Sequence, residues 1–349
     1  MCLPETPQPI QTQSLRAFWI TLILLNAGLV IGGSVGADRL GVSAGLAVPI
    51  VAAFFLHISM YLVAVFPEAR ARLEARLPTK VLAGCLVAVS VVPYLVYSLP
   101  TGVFSVESLA RLLAFCIAAA YLFVWFPPKG HRFQWQDIVV LLLLAYPMVG
   151  GVSDMFQEIY RSPGGNVPED VYVLGKVMLI PLGAIIYLSL RRLEGVNFQL
   201  RISARDFEVG VKNYLLFLPI GIPLTLGIGF AKWAPYEFDS WSDPLAVLAR
   251  IVGLYAAVSL AEELYFRGIL QNLLSATWGG PRWGQFTASV LFGVAHISSR
   301  GFPNWRYALA AAFAGWFYGR AYNADRSVVA AAVTHTLVAG THAFIFPPV

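Results

Sequence analysis

Stretches of 17 to 28 residues without a single Lys, Arg, Asp or Glu recur along this chain. A helix needs about 20 such residues to cross roughly 30 Å of hydrocarbon. In that medium every backbone polar group must be satisfied internally, so only helices and closed barrels can span it. Barrel strands alternate in polarity over about ten residues, whereas the apolar runs here are long and continuous. Only 12% of the 349 residues are charged, against about 25% in a soluble domain. The sequence therefore predicts an all-α, polytopic transmembrane helical bundle.

Eleven spans are expected, near 17–36, 43–66, 81–99, 107–127, 138–155, 170–190, 213–232, 245–273, 284–299, 306–320 and 327–346. Basic residues then set the orientation, because cytoplasmic loops collect Lys and Arg. Arg70, Arg72, Arg76 and Lys80 follow the second span, Lys129 and Arg132 the fourth, and Arg191, Arg192, Arg201, Arg205 and Lys212 the sixth. Residues 100–106 carry no charge, and 233–243 carry Glu237, Asp239 and Asp243. The alternation puts the N-terminus in the cytoplasm and the C-terminus outside, in an inner or plasma membrane. The net charge of +5 is accounted for by this topology, and no nucleic-acid partner is expected; the partners are membrane lipids and a protein or peptide at the membrane.

Residues 191–212 are the longest polar stretch, expected as an interfacial helix. They divide the chain into a six-span region, 1–200, without intramembrane chemistry, and a five-span region, 201–349. Ionisable side chains cost roughly 2.5–3.5 kcal/mol each at the centre of a bilayer, so they mark function by default. The second region holds Arg250, Glu262, Glu263, Arg267, His296, His335 and His342. Glu263 and Arg267 stand at i and i+4 with the acid first, the better order for an ion pair. Glu262 points about 100° away and is left without that partner.

Placed on these spans, Glu262, His296 and His335 all fall roughly 12–18 Å from the cytoplasmic face, at 1.5 Å per residue. One carboxylate and two imidazoles at one level can run hydrolysis, the acid activating water and a histidine orienting it or stabilising the oxyanion. Zinc on Glu262, His296 and His335 is the alternative. A metal-free site is favoured because only two histidines reach the level and neither has a carboxylate visible beside it in sequence. His342, seven residues beyond His335, is a poor further ligand.

These residues resemble the CPBP intramembrane proteases: type II CAAX prenyl endopeptidases and bacteriocin-processing enzymes, also called the ABI family. The match reads Glu262-Glu263-x-x-x-Arg267, Phe292-x-x-x-His296 and a later His335, over roughly residues 205–346. The resemblance implies that Glu262 activates water with His296, that His335 holds the oxyanion, and that Glu263, Arg267 and Phe292 support them. Its third motif is usually H-x-x-x-N, the Asn being a second oxyanion donor; here that place holds Ala339, with Thr336 or a backbone N–H as substitutes.

The implied function is an intramembrane endopeptidase acting on a membrane-associated or lipidated protein. Two rivals are a catalytically inactive scaffold or immunity-type protein, favoured by Ala339, and a proton-coupled transporter. The latter calls for repeats with broken helices in both halves, and the charges here are confined to one. Gly32-Gly33-Ser34-Val35-Gly36 fits the serine-hydrolase elbow in letters only, since that motif needs a strand–turn–helix setting. Gly28, Gly32 and Gly36 read instead as a helix-packing face. His57 and His131 lack acidic or histidine neighbours and are read as packing or water-facing residues.

Overall fold

The computed structural model describes residues 15–130, 132–148, 153–237, 243–299 and 301–349; His131 lies outside them. Helices dominate, with two isolated β-bridges and no strand among the described residues. The first half consists of α1 (Arg16–Leu40), α2 (Ala44–Val65), α3 (Pro67–Arg76), α4 (Thr79–Thr101), α5 (Val106–Trp125), α6 (Trp135–Ala145), α7 (Met155–Ile159) and α8 (Glu169–Leu190). The second half has α9 (Ala204–Gly227), α10 (243–277), α11 (Pro281–Ala295), α12 (Trp305–Asp325) and α13 (Val328–Phe344). Of the described helices, α1, α2, α4, α5, α8 and α9 are long and apolar enough to cross a membrane; the remainder are shorter or more polar.

Several boundaries differ from the sequence expectation. The fifth span, expected over 138–155, is the 11-residue helix α6, about 16 Å long, and Pro147 follows it. Its start is pinned by Asp137, which accepts the Gln134 backbone N–H at 3.0 Å and pairs with the Arg191 guanidinium at 3.0 Å. Arg191, expected as a loop charge, is buried and also donates to the carbonyls of Gly130 and Arg132. The interfacial helix over 191–212 is absent. The chain is irregular up to Ser203, whose hydroxyl and Asp206 cap each other's backbone N–H and start α9, the two-way arrangement that satisfies otherwise orphaned donors. Conversely, the basic loop after α2 contains α3, with Pro67 at its first turn, Glu68 near its N-terminus and Arg76 at its end, as the helix dipole favours.

α1 is mostly exposed to the surroundings. The glycine face read from Gly28, Gly32 and Gly36 meets nothing within 4 Å; the close approach is at Gly33, where an added Cβ would lie 2.6 Å from Val51. His57 is fully buried in α2, with no hydrogen-bond partner on either ring nitrogen.

The two halves share one continuous core, and polar clamps cross between them. α10 contains two π-helical stretches, Leu254–Ser259 and Leu264–Gln271. Such turns shift the backbone ladder from i→i+4 to i→i+5 and leave carbonyls to be satisfied elsewhere. Tyr61 of α2 donates its hydroxyl to the Ala256 carbonyl at 2.7 Å, within the first stretch. From the second, Tyr265 donates to the Leu141 carbonyl of α6 at 2.5 Å. α10 is thereby fixed against the first half on both sides of Leu260–Glu263, the ordinary helical turn that carries the paired acids.

Candidate active site

Glu262 and Glu263 are sequence neighbours with opposite surroundings. Glu263 is fully buried, and its carboxylate meets the Arg267 guanidinium at 3.1 Å. This is the expected i, i+4 pair. Arg267, itself fully buried, donates its other arm to the Gly315 carbonyl of α12 at 2.8 Å. Position 315 must be Gly for this approach, since a Cβ there would lie 2.9 Å from the Arg267 Nη2. The guanidinium also lies over the Phe292 ring, 4.7 Å from its centroid, a cation–π contact strengthened by the dry surroundings. Phe292 thus supports Arg267 on one side and touches the rings of His296 and His335, at 4.6 and 5.8 Å, on the others.

Glu262 points elsewhere, with 32% of its side chain exposed. It lines a cavity of about 360 Å³ together with His296, His335, Tyr307, Tyr318 and Ala339. His335 of α13 donates its Nδ1–H to Glu263 at 2.8 Å, and its Nε2 lies 4.0 Å from the Glu262 carboxylate. That gap is too long for a direct hydrogen bond and allows one water to touch both groups. The sequence missed the Glu263–His335 contact, because it joins side chains 72 positions apart. The expectation that neither histidine has a carboxylate beside it is therefore incorrect.

His296 is the residue that ends α11, three residues short of the end of the expected range 284–299. Its Nδ1–H donates to the Phe292 carbonyl at 2.8 Å, which leaves Nε2 as the free nitrogen. α11 is held against α12 by close backbone approach: a Cβ on Gly293 would lie 2.4 Å from the Ala308 carbonyl oxygen. Ala339 does face the cavity and offers no donor. Thr336 does not substitute for it, since its hydroxyl is given to the Ala332 carbonyl at 2.8 Å. His342 lines the outer part of the same cavity with its Nδ1 bonded to the Phe346 carbonyl, and Arg250 lies there over the Phe344 ring.

A second cavity, of about 240 Å³, meets the first at Glu262 and His296. Its walls are mostly apolar and come from both halves, with Leu144 and Met148 after α5, Leu179 and Lys176 of α8, and Tyr265 and Phe266 of α10. The first half, which carries no recognisable motif, thus supplies one wall beside the acid.

Zinc on Glu262, His296 and His335 was the sequence alternative. Among the described residues no three His, Cys, Asp or Glu side chains converge as a metal-holding group. As placed, they do not form the three-ligand set a catalytic zinc needs, and no chemical step below is routed through a metal.

No curated protein and no solved structure matches this chain. Residues 244–341 match the family model described as type II CAAX prenyl endopeptidase Rce1-like. That segment contains Glu262, Glu263, Arg267, Phe292, His296 and His335. Over the region that builds this site, the chain is similar to the Rce1-like type II CAAX prenyl endopeptidases.

Proposed function

We propose that this protein is an intramembrane endopeptidase that hydrolyses a peptide bond of a membrane-associated or lipidated protein, with Glu262 as the general base. The observation that carries the reading is the split between the adjacent acids. Glu263 is consumed by Arg267 and His335, while Glu262 faces the cavity 4.0 Å from the His335 Nε2. A water between them would give a proton to Glu262 and attack the scissile carbonyl carbon. Collapse of the tetrahedral intermediate breaks the C–N bond as Glu262 passes that proton to the leaving nitrogen, yielding a carboxylate and an amine. His296 and His335 orient the water through Nε2, each ring being locked by its Nδ1 bond, and no metal is required in this scheme.

The apolar cleft supports a substrate that arrives from the lipid phase with a greasy segment. Its wall from α6, Met148 and α8 supports substrate reception as the role of residues 1–200, with 201–349 carrying the chemistry. The basic loops support an orientation with the N-terminus in the cytoplasm. Reconstituted wild type and Glu262→Gln, compared for cleavage of a prenylated, internally quenched peptide in phosphatidylcholine vesicles, test the reading. Cleavage by the wild type and its collapse in the variant support it; equal rates refute it. The non-catalytic scaffold has one observation in its favour, Ala339 facing the cavity, and predicts no cleavage by either.

A further inference from the structure

Attack on a carbonyl moves an electron pair onto its oxygen, and that oxygen needs a hydrogen-bond donor aimed at it. Several donors in and beside the cavity are committed. Arg267 is spent on Glu263 and the Gly315 carbonyl, and Thr336 on the Ala332 carbonyl. A neutral imidazole carries one N–H. His335 gives it to Glu263 and His296 gives it to the Phe292 carbonyl. In that neutral state both rings present an acceptor at Nε2, which suits holding a water and does not suit holding an oxyanion. Ala339 contributes nothing.

Tyr318 differs from all of these. It comes from α12, and its ring lies flat on His335, with centroids 4.5 Å apart and planes at 11°. Phe292 meets it edge-on at 5.9 Å, and the Arg267 guanidinium sits 5.3 Å from its centroid. The ring is fixed by packing and only 3% exposed. Its hydroxyl makes no hydrogen bond to any described residue, yet the side chain lines the cavity with Glu262 and His335. Buried phenols ordinarily find a partner, and here the cavity is the place from which one can come.

We infer that Tyr318 is a further catalytic residue, its O–H donating to the oxyanion of the tetrahedral intermediate. This rests on the proteolytic reading above. The phenol keeps its proton throughout. The carbonyl π pair moves to oxygen as water adds, is held by the Tyr318 O–H, and returns when the C–N bond breaks. The stacking keeps the ring of this donor against the imidazole that holds the water, and both side chains line the same cavity.

The test uses the full chain in phosphatidylcholine vesicles with the prenylated quenched peptide. Tyr318→Phe deletes one oxygen and keeps the stacked ring. We expect kcat to fall roughly 10²–10³-fold, the size of a lost oxyanion donor, while KM stays nearly constant. A phosphinic analogue of the peptide, which carries the tetrahedral oxygen, should lose affinity by a similar factor, and a reduced-amide analogue, which lacks it, should not. Both affinities are read on folded protein, so lost yield does not enter. Ala339→Asn in the Tyr318→Phe background should restore part of the rate by supplying a donor to the same cavity. Unchanged kcat in Tyr318→Phe, or equal losses for both analogues, overturns this inference alone. An unchanged rate in Glu262→Gln, or no cleavage by the wild type, overturns the proteolytic reading and this inference with it.

Discussion

His335 gives its Nδ1–H to Glu263 at 2.8 Å and turns its Nε2 toward Glu262, 4.0 Å away. One imidazole thus reads both members of an acidic pair that adjacent positions on a helix point in different directions. Glu263 is tied to Arg267 and cannot also serve a substrate, while Glu262 is left open to the cavity. That geometry supports the proposed division of labour, with Glu262 as base and Glu263 as support.

Glu262→Gln should lower cleavage by roughly 10²–10⁴-fold, the usual weight of a general base. The side chain is partly exposed and makes no ion pair with Arg267, so folded yield and melting temperature in detergent should match the wild type. Peptide cleavage and thermal unfolding measured on the same preparation check both halves of this expectation.

Arg267→Ala should chiefly destabilise the protein, since it leaves Glu263 buried without its cation, a loss that typically costs about 3–5 kcal/mol. Glu263→Gln should behave differently. It keeps the shape but weakens the hold on His335, so activity per folded molecule should fall as well. Size-exclusion yield against specific activity separates the two effects; identical ratios in the two variants would contradict the contact between Glu263 and His335.

Gly293→Ala should damage both stability and activity. Its Cβ would lie 2.4 Å from the Ala308 carbonyl oxygen and 2.6 Å from the Ala312 Cβ, and backbone cannot yield as a flexible side chain can. Overpacking of this kind costs about 1–3 kcal/mol, and separating α11 from α12 would shift His296 at the end of α11. A lower melting temperature with reduced kcat is expected, and Gly36→Ala, whose Cβ would meet nothing within 4 Å, should be silent.

Asp137→Ala should unfold the first half more readily, by about 3–5 kcal/mol, because Arg191 would be left buried without its carboxylate. The double variant Asp137→Leu with Arg191→Met removes both charges and should be milder. Proteolytic nicking near residue 130 during thermal unfolding reports on this region.

Cleavage should survive EDTA and 1,10-phenanthroline at concentrations that strip zinc. Loss of activity under chelation with recovery on return of zinc would overturn the metal-free scheme and move Glu262 and His335 into a ligand set.

The membrane class and the C-terminal concentration of chemistry were legible because hydrocarbon imposes its rule on each span separately. The Glu263–Arg267 pair was legible for a similar reason, being local to one helical turn. The fifth span was misread, since apolar composition continues past Ala145 while the helix does not. Arg191 was misread as a loop charge, because its partner Asp137 is 54 positions away.

The sequence by itself determined that this chain is a helical membrane protein whose last five apolar segments carry the adjacent acids Glu262 and Glu263 and three histidines, His296, His335 and His342. Helix periodicity and the cost of burying charge are properties of short windows, and a sequence displays them directly. The tertiary structure alone decided that His335 belongs to Glu263, that Tyr318 stacks on it, and that α8 and the residues after α5 wall the cleft beside Glu262. Those relationships depend on how α10, α12 and α13 pack, and on the π-helical stretches that Tyr61 and Tyr265 anchor in α10. Packing contacts between distant segments leave no periodic trace in the chain, so the arrangement of the candidate site exists only once the bundle has closed.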